Sequence, residues 1–147
     1  MRTTLVTALL VATLGAPAFA GGGKGDPKPA EAGIAGTYDV KYDEVSNNCT
    51  QTGMTFTRGS LTIETGKEIA VRIDRVATMV GSEPRAGKLK AQSKLGPSMI
   101  QGLDGKFSVA GRVDDGVVQF VFVAEYYLKG KPLCTQSWNV SGVKNKP

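Results

Sequence analysis

The sequence has no histidine. That removes the commonest general base and the commonest metal ligand, together with every Ser-His or Cys-His nucleophilic arrangement. Only two cysteines are present, too few for a thiolate metal cage. Beyond residue 14 no apolar run approaches the roughly 20 residues that a membrane-spanning helix needs. Catalysis by carboxylates alone survives in principle, but no constellation of residues supports it. The chain is therefore read as a non-enzyme, with no cofactor and no metal site.

The first twenty residues are built differently from the rest. Arg2 supplies a positive start, Leu5 to Leu14 is apolar except for Thr7 and Thr13, and Gly15 and Pro17 lead to Ala18-Phe19-Ala20. This pattern predicts a signal peptide over residues 1–20, cleaved after Ala20, and so a periplasmic or secreted protein. No cysteine follows the cleavage site to carry a lipid, and no transmembrane segment is expected. Residues 21–33 (GGGKGDPKPAEAG) hold almost nothing to bury and read as a disordered Gly/Pro/Lys-rich tail. The folded unit is expected over 34–143, with 144–147 frayed.

The formal charge is +5, modest and scattered, with a local concentration at Arg85, Lys88, Lys90 and Lys94. A nucleic-acid footprint needs stacking aromatics among its charges, and none lie there, so no nucleic acid is expected. A solvated polar face accounts for the cluster, and an anionic cell-surface polymer is the functional alternative. Cys49 and Cys134, in an exported chain, read as a disulfide spanning most of the domain. Redox-active cysteines usually sit close together in sequence, unlike these.

Apolar residues recur at a spacing of two. Tyr38, Val40 and Tyr42 alternate with polar neighbours, as do Leu61 and Ile63, then Ile69, Val71 and Ile73, then Phe107, Val109 and Val113. Val117 to Leu128 is apolar on both parities, which predicts a strand covered on each side. Cys134, Gln136, Trp138 and Val140 share one face. Lys88 to Leu95 alternates too, but Ala, Lys and Ser form strands poorly, so a short helix is the alternative there. Turns are expected at Gly66-Lys67, Asp104-Gly105, Asp114-Asp115-Gly116 and Lys129-Gly130-Lys131-Pro132. From about Ser98 onward the chain then forms a meander of four strands.

A disulfide needs Cα atoms within about 7 Å. Cys49 follows the first strand and Cys134 opens the last, so these two strands should be antiparallel neighbours. Their pairing closes a single all-β, antiparallel up-and-down β-barrel of about eight strands and removes its edges; a β-sandwich is the alternative. The Gly36-Thr37-Tyr38 entry, the late aromatic strand and the disulfide from early loop to final strand resemble small bacterial lipocalin-like (calycin-type) proteins over most of residues 34–143. That resemblance implies a calyx able to hold a small apolar ligand.

Such a barrel is just wide enough to be filled by side chains or to enclose one small ligand. The aromatics expected to point inward, and so to line any ligand site, are Tyr38, Tyr42, Phe120, Phe122, Tyr126 and Trp138. Buried Tyr and Trp need polar partners, which a ligand could supply; plain core packing is the competing account. Asp104, Asp114 and Asp115 suit turns better than calcium, since successive hairpins fall at opposite ends of a meander. Glu125 would mark a site if it pointed inward, and pairs with a lysine if it points out. The expected function is an exported, lipocalin-like binding protein for a small apolar ligand. The alternative is a solidly packed module with an envelope or secreted protein partner, for example a protease inhibitor.

Overall fold

The computed structural model describes residues 33–82 and 84–146. The expected signal peptide and all but the last residue of the 21–33 tail lie outside the described residues. The described residues form nine strands: β1 (Gly36–Asn47), β2 (Arg58–Glu64), β3 (Ile69–Ile73), β4 (Met79–Gly81), β5 (Lys88–Gln92), β6 (Gly96–Pro97), β7 (Asp104–Asp114), β8 (Val117–Leu128) and β9 (Lys131–Lys144). Among the described residues no helix is long and apolar enough to cross a membrane.

All pairings are antiparallel. The first strand lies between β2 and β9, and β5 joins β7. Eight strands (β1 to β5, then β7 to β9) therefore close a ring. The ninth, β6, continues the β5 edge of β7, with Ser93 bridging the gap through an N–H bond to the Phe107 carbonyl (2.8 Å) and an Oγ acceptor for the Phe107 N–H (2.9 Å). The ring is not even around an axis. Strands of 11 to 14 residues run along β1, β7, β8 and β9, whereas β3, β4 and β5 have five, three and five. Its weakest seam is β4–β5, where a single pair, Val80 with Gln92, is in register.

Alternation sets the two faces. Tyr38, Val40 and Tyr42 in β1, Leu61 and Ile63 in β2, and Ile69, Val71 and Ile73 in β3 all point into one core with Leu89, Phe107, Val109, Phe122, Trp138 and Val140. Val118, Phe120, Phe122, Ala124 and Tyr126 are the buried parity of β8. Its other parity is not covered, contrary to the two-sided burial expected from its composition: Val117 and Val121 are 40% and 45% exposed. Valine suits a strand through its branched Cβ even where no second layer packs on it. Lys88 to Gln92 is strand rather than helix, with Leu89 and Ala91 inside.

The two late hairpins are tight. Asp114 pairs with Val117 and Leu128 with Lys131. The intervening Asp115-Gly116 and Lys129-Gly130 all have positive φ, between 46° and 76°, the mirror-image turn that matches strand twist. Two expected turns differ. Asp104-Gly105 lies inside β7, and the reversal before it uses Gln101-Gly102, with Gly102 at φ 81°. Gly105 is buried for a different reason: a Cβ there would lie 2.6 Å from the Phe107 ring. Gly66-Lys67 sits in a wider loop, since the last pair across it is Glu64 with Ala70. The closing meander accordingly comprises the short β6 and three long strands. Lys144, expected to fray, instead pairs with Tyr38, and its N–H donates to the Gly116 carbonyl (2.7 Å). Asn145 N–H likewise donates to the Thr37 carbonyl (2.8 Å).

Cys49 and Cys134 form the disulfide, with Cα atoms 5.1 Å apart across 85 positions of sequence. It staples the end of β1 to the start of β9, the pair that closes the ring. Chain-entropy arguments give a cross-link of this length about 4–5 kcal/mol as an upper value. The double variant Cys49→Ser/Cys134→Ser should lose roughly 2–5 kcal/mol of unfolding free energy, read by urea denaturation, and the wild type should match it in the presence of a reductant.

Candidate functional site

All six aromatics expected to point inward do so, none more than 4% exposed. Register explains their arrangement. Phe122 lies opposite Trp138, so the two rings stack at 5.3 Å and 23°, and Tyr126, two inward positions further along β8, lies opposite the disulfide cysteine Cys134. Tyr42 and Phe120 both pair with Val140 from its two sides. Tyr38 is near the other end, where its hydroxyl donates to the Ile34 carbonyl at 2.6 Å. Phe107 joins the cluster, 6.3 Å from Phe122 and 6.4 Å from Tyr126.

The centre of the cluster is a residue that the sequence analysis did not single out. Phe56, from the segment joining β1 to β2, enters the barrel end and packs 5.0 Å from Tyr42, 5.2 Å from Trp138 and 5.7 Å from Phe122. The Arg75 guanidinium caps its outer side, 5.5 Å from the ring centre. The hydroxyl of Tyr42, whose ring packs against this plug, is buried with no hydrogen-bond partner among the described residues. Burial, and then the nearby negative charge of Asp74, pushes its pKa up to about 12. Burial likewise raises Tyr126 to about 12, with the Met54 backbone pulling slightly the other way. Tyr38 is also raised by burial.

The plug is held by the Tyr42 N–H, which donates to the Thr57 carbonyl (2.9 Å), and above all by the Gln136 side chain. Gln136, only 2% exposed, accepts from the Met54 N–H (2.8 Å) and the Tyr126 hydroxyl (3.3 Å). Its amide donates to the Met54 carbonyl (3.1 Å) and to Glu44 Oε2 (3.3 Å). Every hydrogen-bonding position of a buried amide is thus used. The backbone comes this close because residue 53 is glycine: a Cβ there would lie 2.5 Å from Gln136 Oε1. With Cys49 at one end and Phe56 at the other, the exposed Thr50–Gly53 tip is tied on both sides, and Gln51 is held at φ 68°.

Surface depressions lie outside the packed interior. One of 440 Å³ beside the tip is lined by Glu44, Gln51, Thr52, Phe56, Gln136 and Trp138 among others, and Trp138 is the only one of the six aromatics to reach it. Another of 490 Å³ lies at the opposite end, by Ile34, Arg112 and Lys144. A third, of 840 Å³, runs on the outer face over the β4–β5 seam. Asp104 begins β7 and Asp114 ends it, roughly 33 Å apart at strand rise. Glu125 is on the outward parity, in register with Lys106. Among the described residues no group of three or more metal-ligating side chains converges.

Comparison with protein-family models, with curated proteins and with solved structures finds no match to this chain. Phe56 and Gln136 escaped the sequence reading for separable reasons. Phe56 is an isolated aromatic between threonines in a segment without periodicity, and Gln136 shows only as a polar residue on a buried face. The second is a usable signal, because a buried amide must find partners.

Gln136→Met should preserve volume while leaving the Met54 N–H and carbonyl unpaired, costing about 2 kcal/mol or more in urea unfolding. The tyrosines set a second expectation. A phenol whose folded pKa is raised favours the protonated fold, so this stability is fully present below pH ~10 and is lost as pH climbs toward 12. Tyrosinate absorbance from Tyr42 and Tyr126 should therefore emerge together with loss of near-ultraviolet circular dichroism.

Proposed function

We propose that the protein is an exported interaction module: a solid barrel that works through its outer surface in the envelope or the surrounding medium. The observation that carries this reading is the filled interior. Four of the six aromatics that would line a ligand chamber, Tyr42, Phe122, Tyr126 and Trp138, are spent on one another, on Phe56 and on Phe107, at centroid distances of 5.0 to 6.4 Å, and Tyr38 and Phe120 are buried in the same core. Packing of this kind stabilises a fold without leaving room for a guest. Export rests on the N-terminal sequence pattern, and a disulfide fits an oxidising compartment. The Thr50–Gly53 tip is the element best suited to meet a protein partner. Its two anchors remove, before binding, much of the ordering cost that a mobile loop would bear on contact. Inhibition of a secreted protease is one form that such contact would take.

One observation favours the lipocalin-like carrier as a second reading. The Tyr42 hydroxyl has no partner among the described residues, and its ring packs 5.0 Å from Phe56; a small, mostly apolar guest with one polar atom would satisfy it if Phe56 swung out.

Native mass spectrometry of protein purified from its host's envelope or medium separates the two. The interaction reading expects the bare oxidised polypeptide. A non-covalent adduct of a few hundred daltons, lost in Tyr42→Phe, would replace it with the carrier reading. A photo-crosslinker at Thr50 should further yield a discrete protein adduct in the host, whereas one at Ser60 should not.

A further inference from the structure

The outer face over β4, β5 and β7 carries two features that the solid-barrel reading does not use. The first is a row of cations. Arg85 forms an isolated antiparallel bridge with Lys88, and Lys88 is in register with Arg112. All three are exposed. Directly opposed residues on one face have Cβ atoms about 5 Å apart, and like charges so placed destabilise a sheet. Lys90 extends the row along β5 on the same parity, about 7 Å on, and Lys94 lies exposed just past the end of that strand. Among the described residues, none of these five side chains has a carboxylate within 4.0 Å; the ion pairs there are Lys41–Asp43, Arg72–Glu64 and Arg75–Asp74. Like charges kept opposed at a local cost to the sheet are the kind of rule-breaking that functional surfaces show.

The second feature is the 840 Å³ groove that runs into this row. It exists because β4 and β5 meet at only one pair, and its lining is chemically mixed. Val80, Gln92 and Ser108 form one outward cross-strand row, and Lys90 and Ala110 the next. Lys67 stands on the far wall, with Glu68 as the one acidic group. Amide and hydroxyl groups match sugar hydroxyls, the small apolar side chains leave room for the face of a pyranose ring, and lysines at either side match carboxylates. No aromatic lines the groove, so base stacking has no platform there.

We propose that this face binds an acidic polysaccharide, a chain of uronic-acid type laid along the groove and over the Arg85–Lys88–Arg112 row. The assignment is independent of whether the barrel is solid or loaded, and of the partner met by the Thr50–Gly53 tip.

Calorimetric titration of the purified protein with oligogalacturonate tests it, with an uncharged glucan and with polyphosphate of equal charge as comparisons. Oligogalacturonate should bind, the glucan should not, and affinity should fall more than about tenfold between ~50 and ~200 mM salt, as counterion release requires. The triple variant Arg85→Gln/Lys88→Gln/Arg112→Gln should weaken binding at least tenfold, yet melt no lower than wild type because the opposed charges are gone. Gln92→Ala/Ser108→Ala should weaken oligogalacturonate and leave any polyphosphate binding unchanged. Lys129→Gln/Lys131→Gln, on the β8–β9 hairpin, should change nothing. Absence of binding, an unaffected triple variant, or polyphosphate bound as tightly as oligogalacturonate would each overturn the assignment. A protein cross-linked at Thr50 would still support the interaction reading in any of those cases.

Discussion

The pairing of β1 with β9 is the constraint on which the rest of the structure depends. Every other strand contact is made between elements near in sequence or follows once the ring is closed. This pair joins the two ends of the folded chain, and without it the sheet would present two unpaired edges. Two kinds of chemistry reinforce it at the same end. The Cys49–Cys134 bond fixes the strand ends covalently, and Gln136, two residues on, ties β9 to the segment that plugs the barrel. Closure, cross-link and plug are thus one assembly, and the aromatic interior is organised around it.

That interior absorbs most of a small aromatic supply. With aromatics at 7% of the sequence, eight aromatic residues in one connected core leave few for the surface. The outer wall is built instead from valine, serine, threonine and charged side chains. Recognition on such a wall falls to charge, amide and hydroxyl groups rather than to apolar anchors. The long-stranded side is regular and closely paired, whereas the short-stranded side, where β4 barely meets β5, carries both the groove and the opposed cations. The irregular part of the ring is therefore the chemically distinctive part.

Much of this was legible in the residues themselves. Period-two alternation places the core of β1, β2, β3 and β9 correctly, and the spacing of Cys49 and Cys134 identifies the closing pair. All six expected inward aromatics are inward because parity is robust within a strand. Misreadings arose where one residue type serves two purposes. Glycine after aspartate signals a turn at Gly116 through positive φ, but Gly105 is there to admit the Phe107 ring. Valine on both parities of β8 suggested two-sided cover, yet the outward set reflects strand preference alone. The plug was invisible because Phe56 acts through long-range contacts that no local pattern encodes. The cation row was visible only as a cluster; its opposed geometry needed the β5–β7 register.

Closure has a geometric corollary for the ends of the domain. Lys144 Nζ donates to the Gly33 carbonyl at 2.9 Å, and Asn145 bonds to Thr37, so the chain enters and leaves the barrel at adjacent points. The disulfide and the Thr50–Gly53 tip lie at the opposite end of β1. A short linker could therefore rejoin the two ends and move the break to another surface turn, leaving the ring's pairings as they are. Whatever is tethered through the segment before Gly33 would in turn hold the clamped tip facing away from the tether.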